Sequence, residues 1–357
     1  MGNCVSANVI VLAFSELSML NFAGNMERQS CTVEDVALAA GVSTMTVSRA
    51  INDRPGVSAE VRRRVLETAA SLGYRPSRVA RGLASRKTST LGIVLPDMAN
   101  PFFAILAKAA TDVARAADKN VFIMNTDEDP ALEREALDSL AGETIDGVIV
   151  AGSRLPKASL VTAVSRFDAA VLVNRVSTGP RIDAVNVDDR SGAIRAVAYL
   201  VGKGRRRIGF IAGPRASLSG QRRLSGYMSG LKAAGLPPDP SLVARCVPNL
   251  DGGAEAARTL LSRDPSIDAL LAYNDLVAIG AMRALGQASR SVPADVAVIG
   301  ADNVPYASLV NPSLSTMGVD ISALGRSAMS RLLSLCEGEE LEPSPLIRPE
   351  LIIRESA

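Results

Sequence analysis

Histidine and tryptophan are both absent from the 357 residues, and aromatic side chains make up only 3%. Without an imidazole there is no His-based catalytic triad, no His-ligated metal and no c-type haem attachment, which removes much of hydrolytic and redox enzymology. The four cysteines, Cys4, Cys31, Cys246 and Cys336, are widely scattered with no CxxC spacing. They suggest neither a zinc cluster nor a disulfide framework, and a reducing cytoplasm is the expected setting. No GxGxxG turn, Walker loop, GxSxG elbow or clustered acidic metal site follows any apolar run. The apolar run at residues 9–14 is too short to span a bilayer and lacks the basic flank of a secretory signal. No catalytic residue, metal, cofactor or membrane association is expected.

What is present describes a folded chain of two to three domains, since 47% of residues are apolar and 21% charged. The net charge of +2 is unevenly placed. Residues 26–88 carry 11 Lys/Arg against 6 Asp/Glu, whereas residues 89–357 carry 28 against 30. A small basic block ahead of a near-neutral body suggests a nucleic-acid module joined to something else. Residues 1–25 carry one acid and no base and are expected to be a disordered extension or a mis-called start, because Met26 precedes the first readable helix signals.

Those signals begin at Thr32, a hydroxyl N-cap with Asp35 three residues on, ahead of the apolar positions Val33, Val36 and Ala37. Gly41 is placed to end this helix in the left-handed conformation, and Ser43 to cap the next. The second helix, residues 44–52, buries Val47, Ala50 and Ile51 at i, i+3, i+4 and leaves Thr44, Met45, Ser48 and Arg49 exposed. Ser58 caps a third helix with Val61, Val65, Ala69 and Leu72 on one face, closed by Gly73. Two helices joined by a tight turn, the second presenting side chains suited to base edges, make a helix-turn-helix.

Residues 32–88 also carry a more specific pattern: an Asp-Val-Ala start, the Gly-Val-Ser turn, a Thr-Val-Ser-Arg core and a Gly-Tyr-Arg-Pro exit. This stretch resembles the DNA-binding headpiece of the lactose/galactose repressor family of bacterial transcription regulators. The resemblance implies that Thr44 and Met45 occupy the variable positions that choose the operator and that Arg49 contacts a guanine, to which it can donate two hydrogen bonds. Ser43, Thr46 and Asn52 suit phosphate contacts or capping. Met45 departs from the polar residue often found there, which leaves its base preference open. Residues 77–88 resemble the family's hinge helix and linker, with Leu83 as the wedge pushed between central base steps from the minor groove and Arg78 and Arg81 as backbone or minor-groove contacts.

Beyond residue 88, short apolar runs at 91–95, 121–124, 147–150, 170–173, 208–211, 269–272 and 296–299 alternate with helical stretches. Such runs predict an α/β body of doubly wound parallel sheets covered on both faces, with ligands at the carboxyl ends of the strands. The groups there, including Asp97, Phe102, Asn174, Arg175, Arg223, Asn274 and Asp302, combine an aromatic face with planar polar groups, the usual cradle for a sugar or nucleobase. They resemble the two-lobed periplasmic-binding-protein-like core of the same family. That match implies a small-molecule effector held chiefly by Arg223, Asn274 and Asp302, then by Asn174, Arg175, Phe102 and Asp97. Core packing of Phe102 and Phe103, and a structural ion pair between Asp302 and Arg223 across the cleft, are the competing readings.

The expected organisation is thus a helix-turn-helix domain over 26–76, a hinge over 77–88 and an effector domain over 89–357, its N-lobe from 89–187 and 318–340 and its C-lobe from 188–317 and 341–357. No leucine-heptad tail follows the last strand, so a homodimer on a roughly palindromic double-stranded operator is expected. The implied function is a transcriptional repressor controlled by a sugar or sugar derivative. A purine or other non-sugar effector acting as co-repressor is the alternative, and a sugar- or nucleotide-metabolising enzyme the remote one.

Overall fold

A computed structural model describes residues 31–74, 88–143, 145–176 and 179–357. The chain divides into two compact units, Met1–Arg81 and Gly82–Ala357. The proposed extension at residues 1–25 and the hinge residues Arg78, Arg81 and Leu83 lie outside the described residues.

In the first unit, helix α1 (Val33–Ala40) opens with a full capping box: Thr32 Oγ1 accepts from the Asp35 amide and the Asp35 carboxylate accepts from the Thr32 amide. Gly41 ends it with φ +65°, the left-handed conformation that satisfies the orphan carbonyls of the last turn. Ser43 caps α2 (Thr44–Ile51) and Ser58 caps α3 (Ala59–Ser71). Val36, Val47 and Val65 are wholly buried where the three helices meet. Leu72, predicted to share the buried face of α3, is instead 43% exposed, because it sits at the C-cap, where the chain leaves the helix.

The second unit contains two sheets. Its first half runs β1 (Thr90–Leu95), α4 (Pro101–Ala116), β2 (Asn120–Asn125), α5 (Pro130–Gly142), β3 (Gly147–Ala151), α6 (Lys157–Val164), β4 (Ala170–Val173) and β5 (Ile182–Val185). These strands form a parallel five-stranded sheet in the order β2-β1-β3-β4-β5. There follow α7 (Asp189–Gly202), β6 (Ile208–Ala212), α8 (Leu218–Ala233), β7 (Val243–Arg245), α9 (Leu250–Arg263), β8 (Ala269–Ala272), α10 (Asp275–Gln287), β9 (Ala297–Asp302), α11 (Tyr306–Leu309) and β10 (Ser315–Gly318). Then α12 (Ile321–Glu337) precedes the last strand, β11 (Glu350–Ile352). The second sheet has the order β11-β10-β9-β8-β6-β7, with β11 alone antiparallel.

Helix α12 does not cover the sheet that precedes it. Its buried face, Leu324, Ala328, Met329 and Leu332, packs with Leu91, Ile93 and Leu106 of the first sheet's core. The chain therefore crosses between lobes after β5, after β10 and again before β11, which ties the lobes together by three strands of backbone.

Every apolar run predicted as a strand is one, because parallel strands buried on both faces must be apolar throughout. The exception in burial is β2, an edge strand whose Phe122 is 51% and Ile123 39% exposed, so this run is not covered on both faces as expected. Strands β5, β7 and β10 carry short or polar sequences and were not predicted; they gain their structure from pairing with β4, β6 and β9. In the second lobe α9 crosses α10 at contact distance: a Cβ at Gly280 would stand 2.0 Å from the Leu250 carbonyl oxygen, and one at Gly253 2.3 Å from that of Val277.

Candidate functional site

Parallel strands place all their carboxyl ends on one edge, and both sheets direct that edge toward the crossing segments. Arg223, on α8, lies at the centre of the arrangement. Its Nε donates to Asp189 Oδ1 at 2.8 Å and its Nη2 to Asp302 Oδ1 at 2.9 Å, while Nη1 donates to the Tyr273 carbonyl. The guanidinium also stands 5.6 Å from the centre of the Tyr273 ring. Burial works against its charge, but the Asp189 and Asp302 carboxylates outweigh this and hold the guanidinium well above its ordinary pKa. The three residues come from the start of α7, the middle of α8 and the end of β9, all in the second lobe. The Arg223–Asp302 pair therefore lies within one lobe and not across the cleft.

Behind it stands Asp275, the first residue of α10 and wholly buried. Its Oδ2 accepts from the Val304 amide at 2.8 Å and its Oδ1 from the Thr316 hydroxyl at 2.6 Å. Burial, reinforced by the neighbouring Asp302 carboxylate, pushes Asp275 up to about 8. Burial likewise pushes Asp302 up to about 6, against the pull of Arg223.

Arg223 and Asp302 line a narrow cavity of about 20 Å³ together with Asp189 and with Phe102, Asn174 and Val187 of the first lobe. Phe102 lines this cavity and also packs edge-on against Phe103, ring centres 5.1 Å apart, in the first-lobe core, as its core-packing reading expected. Asn174 accepts from the Val187 amide at 3.0 Å and holds φ +57°; Asp302 holds φ +108°. Left-handed backbone at non-glycine strand ends is strain of the kind stored at binding sites.

A second cavity of about 360 Å³ is lined by Arg154, Lys157, Arg175, Ala216 and Gln221. Arg175 bridges the lobes there, donating to the Ser153 and Leu155 carbonyls of the first at 2.9 and 2.6 Å and to the Ala216 carbonyl of the second at 3.3 Å. Arg154 forks onto Glu128 at 2.5 and 2.9 Å. Two predicted residues have other engagements. Asn274 caps α10, its Oδ1 accepting from the Val277 amide at 2.9 Å, and Asp97 turns its own loop by accepting from the Ala99 amide at 2.8 Å. Neither lines the two cavities.

Sequence reasoning missed Asp189, Tyr273 and Arg154. Arg154 follows β3 and Tyr273 precedes Asn274, so the strand-end rule could have found both. Asp189 follows β5, which no apolar run announces.

In the first unit, α2 exposes Thr44, Met45, Ser48 and Arg49 along one face, with Met45 62% exposed. The Arg49 guanidinium lies beside Gly56 and forms no side-chain hydrogen bond among the described residues. Ser43 is committed to its cap, with Oγ 2.9 Å from Thr46 Oγ1, and Asn52 donates to the Ser48 carbonyl at 2.8 Å. Exposed short side chains beside a guanidinium, on the second helix of a helix-turn-helix, offer both hydrogen-bond donors and a small apolar surface on one face.

Comparison with known proteins agrees with both halves. Residues 32–77 match bacterial regulatory proteins of the lacI family, and residues 88–354 match the family described as periplasmic binding proteins and sugar binding domain of LacI family. The chain belongs to the LacI family. It is a DNA-binding transcriptional regulator with a sugar-binding domain, and the relatives it resembles are regulators, not enzymes. It is 32% identical to catabolite control protein A of Priestia megaterium over 322 residues, 90% of this chain and 97% of that protein. It is 33% identical to the regulator GalR of Escherichia coli K12 over 326 residues, 91% of this chain and 95% of that protein. Among solved structures, the lac repressor dimer bound to operator and the anti-inducer ONPF superposes on this LacI-family chain with a TM-score of 0.82 at 27% identity, covering 92% of this chain and 99% of that one. A complex of the regulator CelR with cellobiose gives 0.69 at 31% identity, covering 92% and 100%.

Proposed function

We propose that the chain is a homodimeric repressor acting in the cytoplasm, whose grip on a roughly palindromic operator is set by a sugar bound between the lobes of the second unit. The observation that carries this reading is the Arg223–Asp189–Asp302 cluster, largely buried and with Asp302 in left-handed backbone, at the strand ends where both lobes line the cavity. A sugar offers adjacent hydroxyls to such a set of carboxylates. The cavity has room for about one water, so a sugar requires the lobes to rearrange. A ligand then favours one lobe arrangement by its differential affinity, and that preference is what it can impose on DNA binding. Support for a homodimer comes from the exposed apolar edge strand β2 and from the dimeric state of the lac repressor neighbour.

Operator recognition is assigned to Thr44, Met45 and Arg49. With an operator obtained by in vitro selection, Arg49→Ala should weaken binding by about 1–3 kcal/mol at that sequence while leaving affinity for random DNA nearly unchanged. Fluorescence anisotropy on both duplexes measures this. Equal losses on the two would show that Arg49 contacts phosphate and reads no base.

A further inference from the structure

The second oxygen of Asp189 has no hydrogen-bond partner among the described residues. Asp189 is 3% exposed, its Oδ1 is taken by Arg223 Nε, and its Oδ2 is buried with no hydrogen-bond partner. A buried carboxylate oxygen left without a donor costs more than most polar groups, so it persists where something other than the protein satisfies it. Asp189 lines the narrow cavity between the lobes.

The charge around it is also unbalanced. Arg223 is the cationic lining residue of that cavity, and each of its nitrogens donates one hydrogen bond, to Asp189, to Asp302 and to the Tyr273 carbonyl. Two carboxylates against one guanidinium leave a buried floor with excess negative charge. In a low-dielectric cleft a like charge is repelled strongly, whereas a hydroxyl donating to a carboxylate gains a charge-assisted bond.

We propose that Asp189 is a specificity-determining residue of the effector cleft, accepting a hydrogen bond from a ligand hydroxyl through Oδ2, and that the floor it shares with Arg223 and Asp302 selects uncharged sugars over their phosphate esters. This rests on the reading of the cleft as a sugar site and adds to it the charge class of the effector.

The test uses the full chain in isothermal titration calorimetry against matched pairs: galactose and galactose 1-phosphate, glucose and glucose 6-phosphate, ribose and ribose 5-phosphate. The expected result is that, in any pair that binds, the uncharged sugar binds at least tenfold tighter. Asp189→Asn keeps an oxygen for Arg223 and turns an N–H₂ toward the cavity, replacing the acceptor with a donor. It should lose roughly 10- to 100-fold in affinity for the uncharged sugar and narrow the gap between sugar and phosphate. Asp189→Ser, with a hydroxyl that still accepts, should recover part of the sugar affinity.

A phosphate ester that binds as tightly as its parent sugar overturns the inference while leaving the sugar site standing. So does an Asp189→Asn protein that keeps both affinities in their original ratio, which is what a purely structural carboxylate would give. If neither member of any pair binds, the sugar reading itself falls, and this inference with it.

Discussion

Asp275 offers a direct measurement of how the buried acids behave. Its carboxyl, pushed up to about 8 by burial and by the Asp302 charge, keeps in the folded protein a proton that the unfolded chain releases near its ordinary value of 3.8. The folded state then binds more protons than the unfolded state between about pH 4 and about pH 8, so stability from this group is full below that window and falls as pH rises through it. The slope for one proton is about 1.4 kcal/mol per pH unit, or roughly 4 kcal/mol between pH 5 and pH 8. Other groups act in the opposite sense, among them Asp264, held at about 2 by Ser266 and Arg207. The comparison that isolates Asp275 is therefore wild type against Asp275→Asn. The amide can accept from the Val304 amide and donate to Thr316 Oγ1, which preserves both contacts of the carboxyl without a titrating proton. Urea unfolding followed by circular dichroism, the natural probe for a chain without tryptophan, should give nearly equal stabilities near pH 5 and an advantage for the variant that grows toward pH 8. A difference that stays constant from pH 5 to pH 9 would refute the proton on Asp275. The groups facing it are Asp302, Arg223 beyond it, Thr316 and the Val304 amide, and none of them is altered by the substitution.

Two further outcomes follow from the packing and from the cleft. Gly280→Ala drives a Cβ to 2.0 Å from the Leu250 carbonyl oxygen, and neither helix backbone can yield cheaply, so it should destabilise the second unit by about 1–3 kcal/mol or more in the same urea assay; an unchanged midpoint would show that α9 and α10 slide apart freely. Arg223→Lys keeps the charge but cannot reproduce a fork that reaches Asp189, Asp302 and the Tyr273 carbonyl together, so it should remain folded at a cost of about 1–3 kcal/mol and lose most of the sugar-dependent change in operator affinity, read by anisotropy with and without ligand. A normal response from this variant would remove Arg223 from the effector site.

The headpiece and most of the body's architecture were legible in the amino-acid sequence, because the signals for both are local. A cap such as Thr32 with Asp35, a left-handed glycine such as Gly41 and an i, i+3, i+4 apolar stripe act within one or two turns of the helix they specify. Strands buried on both faces must be apolar throughout, so β1, β3, β4, β6, β8 and β9 were readable as runs. Features with no local signal depended on contacts between distant parts of the chain. Strands β5, β7 and β10 exist because a neighbour pairs with them, and β2 is exposed because it has no neighbour on one side. The same holds for the cleft. Arg223 meets Asp189 across 34 positions, Tyr273 across 50 and Asp302 across 79, and no periodicity within a helix or strand encodes a meeting of that range. Residue types at strand ends pointed to a polar ligand; the topology that brings α7, α8, β8 and β9 to one edge chose which side chains meet there, and left one oxygen of Asp189 without a partner among the described residues.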